Sequence, residues 1–247
     1  MTGLVNVEVT AALAALPLAR LTHFTPAMNL PSILGDGQLR SVTDLSVDVR
    51  ACYRSTDLQR LDGYLDKVCC SLQYPNGFYF DIARRKIDVL NYPDWVCLLL
   101  DQTTAAAEGT LFCPRNAAAG GPAIPGAAGL YACYAPSVLG QGGRTRSRGP
   151  LHDPGSPTDV QAEVLVSAPV PLSAIRAIVF PTEAAAREEY GRLNRLFTLP
   201  PHGMQWIISP GMFDKWKITA ALQSSRYFPE TIWTPPKLPA ASPRATS

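Results

Sequence analysis

Glu163 stands in the run Asp159-Val-Gln-Ala-Glu-Val-Leu-Val166, a carboxylate inside what otherwise reads as an apolar strand. Alternation places Ala162, Val164 and Val166 on one face and Gln161, Glu163 and Leu165 on the other, so the acid turns toward a surface that is buried or lines a cleft. A carboxylate held there can stabilise positive charge developing at a reacting carbon, or accept the proton of an incoming nucleophile. The Gln161 amide, two residues earlier, donates and accepts hydrogen bonds together. An edge strand with one wet face would account for the acid equally well.

A second polar group lies far upstream, in Leu21-Thr-His-Phe-Thr-Pro-Ala-Met-Asn-Leu-Pro-Ser-Ile-Leu34. His23 sits at the end of a short apolar strand, Leu18 to Phe24, and a helix follows from Asn29 to Leu34, stopped by Gly35 and Gly37. The imidazole, the Thr25 hydroxyl and backbone donors at the helix start can therefore converge on one polar ligand. A lone histidine also serves as a structural residue, and His152 and His202 lack such a setting. A third feature is Gly140-Gln-Gly-Gly-Arg-Thr-Arg-Ser-Arg-Gly149, which carries Arg144, Arg146 and Arg148 with no acid among them. Such a run suits a flexible loop that wraps a single-stranded phosphate backbone, or a solvated glycine-rich loop.

The elements that must position these groups follow from pattern and length. The 247 residues, 47% hydrophobic and 17% charged, are enough for one large folded domain. We expect an N-terminal helix within 1–17, a single domain over 18–234 and a disordered Pro-rich tail over 235–247. Strands are expected at Val68 to Gln73, Trp95 to Asp101, Thr110 to Cys113 and Ala174 to Phe180, with Trp206 to Ile208 closing the sheet. Helices are expected near Asp81 to Lys86, at Leu130 to Leu139, and at Thr182 to Leu196 behind a Thr182 cap. A tight turn at Asn76-Gly77 presents Tyr74 and its neighbours to a cleft. Irregular alternation favours α+β with a largely antiparallel sheet.

A net charge of +2 gives no bulk signal of nucleic-acid binding. The six cysteines show no C-x-x-C spacing and read as buried, reduced thiols, with neither zinc site nor disulfide framework. No apolar run approaches the roughly 20 residues of a membrane span, and the N-terminus has no basic region followed by an apolar one. A cytoplasmic protein off the membrane is the expectation.

The histidine segment, a following loop arginine, Asn116 after an apolar strand, and Gln161-Ala-Glu-Val-Leu-Val166 together resemble the DarT family of DNA ADP-ribosyltransferase toxins, over about residues 18–197. The resemblance implies an ADP-ribosyltransferase-like fold: a split, largely antiparallel β-sheet with peripheral helices and NAD+ in its cleft as co-substrate, with no metal. It implies that His23, Thr25 and Asn29 hold the cofactor's ribose region. Glu163 takes the place of the catalytic glutamate, and Gln161 completes a Q-x-E pattern. Arg60 sits near the position of the catalytic arginine, with Arg54 as a competitor, and a surface ion pair with Asp57 or Asp62 is the plainer use of Arg60. Tyr74 and Asn76 are assigned to NAD+ contacts.

The activity so implied is transfer of ADP-ribose from NAD+ to a nucleobase of single-stranded DNA with release of nicotinamide. The setting implied is a toxin-antitoxin or phage-defence pair, whose antitoxin is an ADP-ribosyl hydrolase of macrodomain or similar type. The family divides between thymine and guanine acceptors, and the compact segments ending at Gly63 and Gly77 look closer to the guanine branch. RNA or protein as acceptor, and an inactive module that binds NAD or nucleic acid, are the alternatives.

Overall fold

The computed structural model of the protein describes residues 4–45, 63–85 and 94–236. Helix α1 (Val7–Ala15) begins where the Asn6 side chain accepts the Val9 N–H, satisfying one of the donors that a helix start leaves over. Strand β1 (Arg20–Pro26) passes through a short turn, Ala27–Asn29, into α2 (Leu30–Asp36), which ends at Gly37 in the left-handed conformation at φ 68°. Next come β2 (Gln38–Leu39), β3 (Lys67–Leu72), α3 (Gly77–Ala83), β4 (Trp95–Asp101), β5 (Leu111–Cys113), β6 (Ile124–Pro125) and α4 (Gly126–Cys133). After β7 (Ser137–Leu139) and β8 (Thr145–Ser147) the chain enters β9 (Glu163–Ser167), β10 (Val170–Pro171) and β11 (Ile175–Phe180). It finishes with α5 (Glu183–Arg195), β12 (Gln205–Ile208), α6 (Lys215–Ser224) and β13 (Thr231–Ile232).

Among the described residues the main sheet runs β13-β12-β11-β4-β1-β3-β9-β5-β6. Its neighbours are antiparallel except β11 and β12, which run parallel. One face carries the main core, where Leu21, Leu72, Leu98, Val164 and Ile178 meet α1, α2, α4 and α5. On the other face Phe24 stacks on Phe80 of α3 at 4.4 Å, and Tyr74 packs with Ile218 and Ala221 of α6.

The join between the two halves of the sheet positions the site. β1 follows β4 through seven paired residues and β3 follows β9 through five, whereas β1 and β3 pair at two, Leu21 with Leu72 and Thr22 with Ser71. Beyond that second rung the strands part. The sheet is thus largely antiparallel, split and flanked by helices.

Several elements differ from the sequence reading, each for a local reason. The helix expected over Leu130 to Leu139 is α4 from Gly126 to Cys133, followed by a strand, because Pro136 has no N–H to give and biases its predecessor away from helix. Asn76-Gly77, expected as a tight turn, opens a helix instead: Asn76 caps α3 by accepting the Tyr79 N–H, so this helix begins before the Asp81 expected to open it. Gly77 is required there by close approach, since a Cβ would lie 2.8 Å from the Lys215 Cα. Trp206 to Ile208 does not close the sheet, because β13 lies outside it. Helix α6 was not expected, although its Asp214 cap, accepting from the Trp216 and Lys217 N–H groups, is a readable start signal. Within the arginine run Thr145–Ser147 forms β8, which pairs with β7 as a short hairpin.

Candidate active site

β9 lies between β3 and β5, so the edge-strand explanation of Glu163 is removed. Val164 and Val166 enter the main core, while Leu165 packs with Cys113 and Ala117 on the opposite face. Glu163, at 7% exposure, shares that opposite face. It pairs with Ser71 on one side and Cys113 on the other, and Ser71 pairs onward with Thr22. Thr22, Ser71 and Glu163 therefore form one rung across three strands, about 10 Å from end to end at the usual strand spacing. That rung is the last one before β1 and β3 part.

Residues around the rung are held by hydrogen bonds that the local sequence provides. Glu163 Oε2 accepts the Ala117 N–H at 2.9 Å. Ala117 opens a single helical turn capped by Asn116, whose side chain accepts the Ala119 N–H at 3.0 Å. Ser71 Oγ accepts the Asn76 N–H at 3.2 Å, which fastens the start of α3 beside the rung. Asn76 is 5% exposed, and its Nδ2 has no hydrogen-bond partner among the described residues. A buried amide donor next to a buried carboxylate and a serine is a set suited to a ligand rich in hydroxyl and carboxamide groups.

His23 lies one residue past the rung. Its Nδ1 donates to the Cys69 carbonyl at 2.8 Å, across the point where the backbone ladder stops. Because a carbonyl only accepts, this bond fixes the proton on Nδ1. Alternation sends Thr22 to the Glu163 side of β1 and His23 to the other, so at the fork the imidazole and the carboxylate face opposite sides of the sheet.

The remaining sequence-derived candidates are distributed unevenly. Thr25 and Asn29 are buried and joined to one another, Asn29 Nδ2 donating to Thr25 Oγ1 at 2.9 Å. Tyr74 is in the core under α6, edge-on to Phe228 with the Arg20 guanidinium over its ring, and burial pushes its phenol up to about 12. Gln161 is half-buried in the turn just before β9, its N–H donating to Asp159 Oδ1. Arg144 and Arg146 are exposed on the hairpin, but Arg148 donates to the Ser156 and Asp153 carbonyls and lies over Tyr134. Arg60 and its competitor Arg54 lie outside the described residues.

The site also rests on residues that sequence reasoning passed over. Ser71 follows the apolar pair Cys69-Cys70, and its out-of-phase polarity was the available signal. Arg115 donates to the Leu139 and Gly120 carbonyls, tying the hairpin base to the turn that touches Glu163. Asp81 of α3 receives Lys215 at 2.7 Å together with Arg84 and Arg85, and the Lys215 hydrogen bond leads in holding its carboxyl down to about 2. Burial pushes the Cys97 thiol up to about 12 and raises those of Cys70 and Cys133, so none of the three supplies a thiolate. Among the described residues no group of three or more His, Cys, Asp or Glu could hold a metal ion, and no helix is long and apolar enough to cross a membrane.

Comparison with known proteins gives a consistent result. The model of a protein family described as ssDNA thymidine ADP-ribosyltransferase, DarT, matches residues 22–213. No curated protein sequence matches. Among solved structures the chain is similar to Thermus sp. 2.9 DarT in complex with NAD+, with a TM-score of 0.53 and 15% identity over 80% of this chain and 98% of that one. It is similar to the same protein in complex with ADP-ribosylated ssDNA, at 0.54 and 15% over 79% and 96%. Thermosipho africanus DarTG in complex with ADP-ribose gives 0.53 and 16%, over 79% of this chain and 51% of that one. At these identities the structural likeness establishes the fold.

Proposed function

The chain belongs to the DarT family, NAD+-dependent ADP-ribosyltransferases of single-stranded DNA, and from that premise we propose how its residues divide the reaction. The fork between β1 and β3 receives the dinucleotide. The Asn76 amide and the Ser71 hydroxyl, on the Glu163 side, bind its ribose hydroxyls and carboxamide, and His23 meets the dinucleotide from the other face of the sheet at the parting. Thr25 and Asn29 act by holding the start of α2 against β1. Cleavage of the nicotinamide-ribose bond builds positive charge at the anomeric carbon, as glycoside cleavage does, and Glu163 stabilises that charge as it forms. The same carboxylate takes the proton that the attacking base nitrogen loses. Arg60 is the arginine assigned to the pyrophosphate or the acceptor base, and Gln161 reads the base edge.

The observation that carries this reading is the Thr22–Ser71–Glu163 rung at the parting of the sheet, with a buried carboxylate and the buried Asn76 donor beside it. For the acceptor, the family's description names thymidine, which favours thymine over the guanine suggested by the segments ending at Gly63 and Gly77. The reading includes a toxin role opposed by an ADP-ribosyl hydrolase; the match to half of a longer chain named DarTG is compatible with a second component beside the transferase. The buried thiols of Cys70, Cys97 and Cys133, inside the apolar core, suit a reducing, cytoplasmic setting.

The test is mass spectrometry of short oligonucleotides incubated with the protein and NAD+, varying one base at a time, with RNA and protein acceptors in parallel. A mass increase of one ADP-ribose on thymine-containing DNA is expected. Modification at guanine alone would reverse the base assignment. Label confined to RNA or protein would overturn the DNA reading for this chain, and no consumption of NAD+ would leave it a binding module.

A further inference from the structure

Helices α3 and α6 pack against each other on the Glu163 side of the sheet, and their outer surface combines cations with exposed aromatic area. Trp216 is 66% exposed, with its ring edge-on to Phe78 and the Lys215 ammonium 5.3 Å from its centre. Ile82 lies exposed on α3. On these two helices and their caps, Arg84, Arg85, Lys215 and Lys217 face two carboxylates, Asp81 and Asp214. Both acids are already engaged: Asp81 by Lys215, Arg84 and Arg85, and Asp214 by the Trp216 and Lys217 N–H groups. The cluster therefore carries surplus positive charge beside an open indole, and it is pre-ordered because one buried carboxylate gathers three of the cations.

Its position ties the cluster to the fork. Helix α3 starts at Asn76, bonded to Ser71 on the Glu163 rung, and rises about 10 Å over its seven residues to Arg84 and Arg85. A strand of nucleic acid lying along α3 is led from these cations to the rung.

We propose that the outer α3–α6 surface is the track on which the single-stranded DNA acceptor lies, a base stacking on Trp216 and backbone phosphates meeting Arg84, Arg85 and Lys217. This deepens the function proposed above and rests on it for the identity of the acceptor. The chemistry is that of a stacking platform in an electropositive groove, which tolerates any base and is sensitive to salt. It adds a DNA-binding surface distinct from the β7–β8 hairpin, where Arg148 is engaged with carbonyls.

The experiment is fluorescence anisotropy of a labelled single-stranded oligonucleotide, titrated with the full chain across a salt series. Trp216→Ala is expected to weaken binding about tenfold, the size of one base stack, and Trp216→Phe to recover most of it. Arg85→Gln with Lys217→Gln should lower the slope of log affinity against log salt by about 0.7 for each phosphate no longer neutralised. Arg187→Gln, on α5 across the sheet, removes a charge of the same sign and should change neither quantity. Variants at Trp216, Arg85 and Lys217 that melt with the wild type yet bind DNA as it does would overturn the proposal. So would an equal loss of slope in Arg187→Gln, or a loss of self-association in Trp216→Ala without any change in DNA affinity. If the wild type binds DNA through this surface but transfers no ADP-ribose to it, the track stands and the reading of the reaction fails.

Discussion

Replacing Glu163 by glutamine and by alanine separates what the carboxylate does for the reaction from what it does for the fold. Its Oε2 accepts the Ala117 N–H at 2.9 Å in a buried setting. Glutamine keeps an oxygen for that donor. Exchanging a charged acceptor for a neutral one costs about 1 kcal/mol, and relief from burying a charge offsets it, so the glutamine variant should remain within about 1 kcal/mol of the wild type. Alanine leaves the Ala117 N–H buried and unpaired, a loss of about 1–3 kcal/mol. For a chain of this length each kcal/mol lowers Tm by about 2–4 °C, so the alanine variant should melt roughly 2–12 °C lower. Both variants lose the charge that stabilises the anomeric centre, and a group acting only in the transition state is worth about 10²–10³ in rate. Thermal unfolding followed by circular dichroism, beside single-turnover transfer to an oligonucleotide read by mass spectrometry, measures the two effects. Equal loss of transfer with unequal loss of stability is expected. Wild-type turnover in Glu163→Gln would refute the catalytic role, and equal melting of the two variants would refute the structural one.

Gly77→Ala drives a Cβ to 2.8 Å from the Lys215 backbone, so it should cost about 1–3 kcal/mol in a urea titration, and an unchanged midpoint would show that α3 and α6 are not in close approach. The Asp81 carboxyl sits at about 2 against an ordinary 3.8, so its ion cluster stabilises fully above about pH 4 and is lost as pH falls toward 2. Asp81→Asn should flatten stability across that acid window, and an identical acid limb in the two proteins would contradict the assignment. Arg148→Ala should destabilise by about 1–2 kcal/mol because it strips donors from the Ser156 and Asp153 carbonyls, whereas Arg144→Ala and Arg146→Ala should stay within about 0.5 kcal/mol and reduce the salt dependence of DNA binding. Equal stability of all three in denaturant would dissolve that distinction.

Where the sequence spoke clearly, local physics acted alone. The phase of Ala162, Val164 and Val166 against Glu163 and Leu165 was legible because a period of two survives in any buried strand, and the structure places those side chains on the two faces accordingly. Thr182 was readable as a cap because a hydroxyl ahead of a helix has one dominant use, and it accepts the Ala185 N–H. What stayed hidden depends on neighbours distant in sequence. Tyr74 carries the composition of a cleft residue, and its burial is decided by Phe228 and α6, some 150 positions later. Arg148 could not be told from Arg144 and Arg146 in a run of like residues, since its partners are backbone carbonyls that every residue possesses. The Asn76-Gly77 pair fits a turn and a helix cap equally well, and the close passage of Lys215 favours the helix.

A sheet whose halves share two rungs concentrates its geometric demands. Within each half, aliphatic side chains can exchange for one another so long as volume and phase persist, as cores generally allow. The seam tolerates less, because Leu21, Thr22, Ser71 and Leu72 must keep two strands in register while letting them diverge one residue later. Drift over a long lineage should therefore run freely through the strands and stall at their parting, which suits a chain that keeps the arrangement of Thermus sp. 2.9 DarT at 15% identity.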